Sequence, residues 1–184
     1  MKRVLIVVIA LLSLVLWGCE ERTDETGDGG VILSVSDFDG LPAEVEVNLL
    51  QLAGFLSVGE ITIDSHQKDP AGATSSLMNV EMDSYEVYFT RADAGTLLPP
   101  PLVQKIFGVT PINGSQIYEN LRILSVDQIE NRPLSDLLFV NGAFDKETGE
   151  AFTRLNLFMR FFGKTLSGDH VETAPIGFTV TFVP

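Results

Sequence analysis

From Val31 onward, apolar and polar residues alternate with a period of two, and sustained helical periodicity is scarce, so the pattern predicts strands. The final segment is the clearest: Ile176, Phe178, Val180 and Phe182 share one face, and Gly177, Thr179 and Thr181 share the other. Tyr85, Val87 and Phe89 alternate with Glu86, Tyr88 and Thr90, and Val45, Val47 and Leu49 alternate with Glu44, Glu46 and Asn48. Both read as strands with one wet face. In "FTRLNLFMRFFG", Leu155, Leu157, Met159 and Phe161 form one face, while Arg154, Asn156, Phe158, Arg160 and Phe162 form the other. "DKETGE" precedes it and offers Gly149 for a turn, so Leu137–Phe144 and Ala151–Phe162 are predicted to pair as a hairpin. Further strands are expected over Val31–Ser36, Leu56–Ser65, Ser76–Val80 leading into Glu81–Arg91, Val103–Val109 and Ser115–Val126.

Turn-forming clusters such as "DFDGLP", "KDPAGA", "TPINGS", "ENRPLS" and "LSGDH" separate these runs. Short strands at this spacing imply an all-β domain over residues 31–184, and the unequal loops favour an antiparallel, immunoglobulin-like sandwich over a lipocalin-like barrel. The Cys–Trp–Cys signature of antibody domains is absent. "RPLSDLL" is expected to close one helical turn.

The start of the chain follows different rules. Met1-Lys2-Arg3 is cationic, and Val4 to Trp17 form an apolar run of 14 residues interrupted only by Ser13. A bilayer-spanning helix takes about 20 apolar residues, whereas the apolar region of a secretory signal takes about 7–15. The run closes on Leu16-Trp17-Gly18-Cys19, which resembles the lipobox of bacterial lipoprotein precursors. Trp17 departs from that pattern, because its position is usually small or aliphatic. The resemblance implies a signal peptide over residues 1–18, cleavage before Cys19, a thioether from its sulfur to diacylglycerol, and acylation of the new amine. The chemistry needs a nucleophilic sulfur, and Cys19 is the only cysteine. Several acyl chains make attachment effectively permanent. Where a host has two membranes, Glu20 in place of Asp after the cysteine leads to an expectation of outer-membrane residence.

"EERTDETGDGG" then has no apolar side chain and reads as an acidic, flexible tether over residues 19–30. Asp24 to Gly29 resembles the opening of an EF-hand loop, but the twelfth position, which should be a bidentate Glu, is Val35. A tether is the expected reading, and no metal or cofactor is assigned.

Charge narrows the partners. The sequence has 12 Lys+Arg and 25 Asp+Glu, and loss of Lys2 and Arg3 with the signal leaves a net charge of −15. That argues against nucleic acid and anionic lipid as ligands. With its one cysteine committed to lipid, the domain has no internal disulfide and relies on its core.

No catalytic residues are assigned. His66 and His170 fall in turn-like segments beside Asp64, Asp69 and Asp169, without metal-ligand spacing, and no G-x-S-x-G elbow occurs. Asp145, Glu147 and Glu150 are expected at a solvated turn, which would not raise a carboxyl pKa as acid catalysis requires. "RADAGTLLPPP", from Arg91 to Pro101, is predicted to be a stiff connection between sheets, with Leu97, Leu98, Leu102 and Val103 seeking burial. Arg154, Phe158, Arg160 and Phe162 form a candidate ligand surface for a carboxylate or aromatic group, set against the commoner arrangement in which arginine stems cover rings on an outward face. The functional expectation is a lipid-anchored envelope protein, non-enzymatic, engaged in binding, adhesion or assembly with a protein partner of the envelope. The alternative is a small-ligand carrier or hydrolase of the envelope.

Overall fold

The computed structural model describes residues 30–184, and the lipobox, Cys19 and nearly all of the tether lie outside them. The elements are β1 (Val31–Asp39), β2 (Glu44–Glu46), α1 (Val47–Ala53), β3 (Phe55–Gln67), β4 (Val80–Arg91), β5 (Leu102–Thr110), β6 (Gly114–Ser125), α2 (Val126–Glu130), β7 (Thr153–Thr165), β8 (His170–Glu172) and β9 (Ile176–Val183). Short 3-10 turns occupy Ser76–Met78, Leu134–Leu137 and Phe139–Asn141. The protein is all-β in class.

Two sheets share the strands. The smaller has the order β1-β3-β6, and the larger β2-β9-β7-β4-β5. Pairing is antiparallel except for β2 beside β9. β9 and β8 occupy successive lengths of one edge of β7, at Thr153–Met159 and Phe162–Lys164, and β4 occupies the other edge. The turn Pro111–Gly114, closed by Gly114 N–H donating to the Pro111 carbonyl at 3.0 Å, carries the chain from the larger sheet to the smaller. A parallel bridge between Leu33 and Thr173 joins the sheets on the opposite side.

Alternation dictates the core. On β7, Leu155, Leu157, Met159 and Phe161 are all fully buried, and they meet Ile61, Ile63 and Leu33 of the smaller sheet in one hydrophobic cluster. Tyr85 lies in this cluster, and its hydroxyl donates to the Arg122 carbonyl at 2.8 Å, tying the sheets together. Burial pushes the Tyr85 phenol up to about 12, more than the bond to Arg122 lowers it, so it remains a donor at any physiological pH.

Four sequence expectations give way, the first at Ser76–Val80, where Ser76–Met78 closes a 3-10 turn capped by the Ser75 hydroxyl and the strand begins only at Val80. Alternation from Val45 to Leu49 holds only through Glu46, after which α1 takes over: Val47 and Leu50, three apart, are buried, and Leu49 is exposed. Gly54, at φ 81, closes α1 in the left-handed conformation that favours glycine. Leu137–Phe144 is not a strand, so β7 pairs with β4 and β9 and not with it. Its apolar residues occur in consecutive pairs, with Leu137 and Leu138 buried and Phe139 and Val140 exposed, a spacing that suits 3-10 turns. Leu97, Leu98 and Val103 are exposed, while Pro99 and Leu102 are buried.

The molecule therefore has two distinct poles. The amino-terminal pole holds Gly30, whose carbonyl accepts from Lys68 N–H at 3.0 Å, together with Ser76–Met78 and the turn after β7. The helical pole, at the far end of β3, holds α1, α2 and the two later 3-10 turns.

Candidate ligand face and its charged surroundings

The outward face of β7 carries all four residues singled out from the sequence. Phe158 stacks on Tyr88 with ring centroids 5.1 Å apart and an interplanar angle of 14°. Gly177 leaves room for this ring, because a Cβ there would lie 2.8 Å from Phe158 Cε1. The Arg160 guanidinium sits 5.0 Å over the Phe162 ring, 3.2 Å from Glu86 and 3.6 Å from Glu172. Arg154 covers Phe152 at 5.6 Å, and its Nε donates to Thr181 Oγ1 at 3.3 Å. These side chains thus meet one another first: the stems and guanidinium planes of both arginines shield rings.

Phe162 also belongs to a second feature. An open cleft of about 420 Å³ lies between β4, β5, β7 and β8, lined by Glu81, Met82, Asp83, Phe107, Phe162, Gly163, Lys164 and His170. Glu81, Lys164 and His170 fall in one row across three strands, since Glu81 pairs with Lys164 and Lys164 with His170. Asp83 sits at a β-bulge between Met82 and Ser84, which turns it toward Lys105 of β5 at 2.6 Å. The Lys105 bond, and after it the Ser84 hydroxyl, hold the Asp83 carboxyl below the usual carboxylate range. Among the described residues, Glu81 and His170 take no ion pair, while Lys164 adds a weaker through-space pull on the Asp83 carboxylate. Phe107 projects almost wholly into solvent, at 88% exposure. A cleft with two rings and exposed charged groups of both signs is suited to an amphipathic solute.

Sequence reasoning found Phe162 and missed Phe107, Glu81 and Lys164. The signal was present in "LVQKIFGVT": Leu102 and Ile106 point inward, yet Val103, Phe107 and Val109 on the outward parity are apolar too. The histidines do not converge. His66 lies near the end of β3 and His170 begins β8, so both occupy exposed strand positions, not turns. Among the described residues no group of three His, Cys, Asp or Glu side chains is placed to hold a metal.

Asp145 corrects the sequence reading most sharply. It is fully buried, not solvated, and accepts from Arg91 Nη2 at 2.5 Å, from Glu147 N–H at 2.8 Å and from Thr153 Oγ1 at 3.2 Å. Arg91 Nε bonds Asp93 at 2.6 Å, and Asp93 in turn accepts from Arg154 N–H at 2.8 Å and Gly95 N–H at 3.0 Å. Glu147 grips the same connection from outside, accepting from Thr96 N–H and Leu97 N–H, each at 2.9 Å. Burial by itself would raise the Asp93 and Asp145 carboxyls, but Arg91 and the backbone donors outweigh it and hold both below the usual range. The Thr96 hydroxyl, followed by the two N–H groups, lowers Glu147 to about 2. Arg91 thereby fastens the Arg91–Pro101 connection to the Asp145–Glu150 turn. Every member is engaged in holding these two segments, so the cluster is a structural clasp.

These features define a two-sheet β domain with one ornamented outer face. No protein-family model and no curated protein matches the chain. Among solved structures it is similar to the X-ray structure of Northeast Structural Genomics Consortium target SoR45, with 10% identity, a TM-score of 0.35 and coverage of 82% of each chain. A likeness at that level carries neither fold family nor function across.

Proposed function

We propose that this chain is a lipid-anchored protein of a bacterial envelope whose β domain acts by binding, in adhesion or assembly with another envelope protein. The observation that carries the reading is the coincidence, at one N-terminus, of a cationic start, a 14-residue apolar run and Leu16-Trp17-Gly18-Cys19. The acidic segment after Cys19 leads directly to β1, as a tether to a folded domain does. In a host with two membranes the outer membrane is the proposed residence, on the ground of Glu20. The finer fold reading, an immunoglobulin-like sandwich, belongs to this proposal and is supported by the division of antiparallel strands over two sheets.

The 420 Å³ cleft favours a second reading, a carrier of a small amphipathic ligand, with Phe107 and Phe162 against its apolar part and Glu81, Lys164 and His170 against its polar groups. Replacing Cys19 by alanine tests the primary reading. The variant is expected to accumulate as an uncleaved precursor or to leave the membrane fraction, and intact-mass measurement of the wild-type protein is expected to show a diacylglycerol adduct. An unmodified Cys19 in the processed protein would refute it.

A further inference from the structure

We propose that the amino-terminal pole, through Leu77 and Leu166, rests on the lipid surface that holds Cys19, leaving the helical pole turned away from the membrane. The inference depends on the lipid-anchor reading above. It begins from where the described chain starts. Gly30 is bonded to Lys68, and a Cβ placed on it would lie 3.6 Å from Met78 Cε, in the Ser76–Met78 turn. That turn is laced to the end of β7: Leu166 N–H donates to the Asn79 carbonyl at 2.9 Å and Ser167 N–H to the Leu77 carbonyl at 3.0 Å. Leu77 and Leu166 therefore belong to one pair of hydrogen-bonded turns where the chain enters the domain, at 56% and 48% exposure.

The helical pole exposes more apolar surface, including Leu52, Phe139 and Val140, and so is the rival contact. Chain length decides against it. β3 runs 13 residues between the poles, about 40 Å at a strand's rise of about 3.3 Å per residue. From Cys19 to Gly30 a fully stretched chain spans at most about 36–40 Å. The helical pole, which lies beyond the Phe55 end of β3, would reach the anchoring surface only with that whole segment drawn taut along the domain. The amino-terminal pole meets it at any extension. Charge fixes the kind of surface: at a net charge of −15 the processed chain gains nothing from anionic headgroups, so the contact is an apolar one with a zwitterionic leaflet.

The processed protein offers a clean optical test, because Trp17 is the only tryptophan and precedes Cys19. Leu77→Trp, Leu166→Trp and Val140→Trp variants, each exposed and each the sole tryptophan, would be reconstituted as lipidated protein into phosphatidylcholine vesicles with ordinary or brominated acyl chains. Emission from Leu77→Trp and Leu166→Trp is expected to fall roughly twofold with brominated lipid, as shallow insertion at the headgroup boundary requires, while Val140→Trp stays unchanged. Flotation of the vesicles reports anchoring separately. Protein that fails to float overturns the anchor and the orientation together. Protein that floats with neither leucine position quenched, or with Val140→Trp quenched as strongly, overturns the orientation alone.

Discussion

Replacing Arg91 by methionine isolates the clasp. The Arg91 side chain is only 4% exposed, and its guanidinium holds Asp145, whose side chain is wholly buried, and Asp93, whose side chain is 14% exposed. Methionine keeps most of the stem's volume and removes the charge, so Asp93 and Asp145 lose their cation while staying largely out of water, and the more exposed Glu147, 3.8 Å from Nη1, loses it as well. Breaking a buried pair in this way costs about 3–5 kcal/mol, because the orphaned charge keeps its desolvation penalty. The N–H donors of Glu147, Gly95 and Arg154 remain and offset part of that, which places the expected loss near 3 kcal/mol. Arg160 supplies the contrast. It also faces two carboxylates, Glu86 and Glu172, but its side chain is 36% exposed, and Arg160→Met should cost about 0–1 kcal/mol. Urea unfolding of the unlipidated chain followed by circular dichroism measures both. With a slope of about 2 kcal/mol per molar, the Arg91 variant should unfold about 1.5 M earlier and the Arg160 variant within about 0.5 M of wild type. The pH dependence carries a second signature. Asp93, Asp145 and Glu147 have folded pKa values below their unfolded ones, so their stabilisation is complete above about pH 5 and is lost as pH falls toward 2. Without Arg91 the burial of Asp145 favours its protonated form, so the gap between wild type and variant should narrow as pH falls. Equal losses for the two arginine variants, or a gap that widens in acid, would refute the assignment of the clasp.

Other substitutions test packing. Gly95→Ala would drive a Cβ into the Arg91 guanidinium, and because its ion pairs fix that group, a loss of about 1–3 kcal/mol is expected by the same unfolding assay. Phe182→Ala should cost about 3–5 kcal/mol, since the ring is fully buried, whereas Phe178, partly exposed and packed on Phe38 at 5.8 Å, should cost about half as much. His66→Ala, at an exposed strand position, should shift stability by less than about 0.5 kcal/mol.

The contrast between β7 and the segment before it shows what was legible in the sequence and why. Along β7, side-chain chemistry and backbone period agree: Leu155 to Phe161 alternate strictly, each inward position is buried, and the strand lies at the centre of the larger sheet, with partners on both edges. A period of two is a local property, so it can be read without knowing what the strand pairs with. Leu137–Phe144 is as apolar as a strand but has no alternation, and its destination was set by distant groups: Phe139 N–H donates to Asn48 Oδ1 at 3.1 Å, 91 positions away in the chain. The candidate face divides along the same line. Phe162 and Arg160 were visible as an outward stripe of one strand, whereas the cleft is assembled from β4, β5, β7 and β8, whose register no single strand encodes. Asp145 is the extreme case, for "DKETGE" carries every local mark of a solvated turn. It is buried because Arg91, 54 positions earlier, supplies a charge that only the folded chain brings within reach. A carboxylate in a polar turn is thus read as exposed until its cation is found, and the cation here stands at the end of β4, against a connection that the sequence marked only by its prolines.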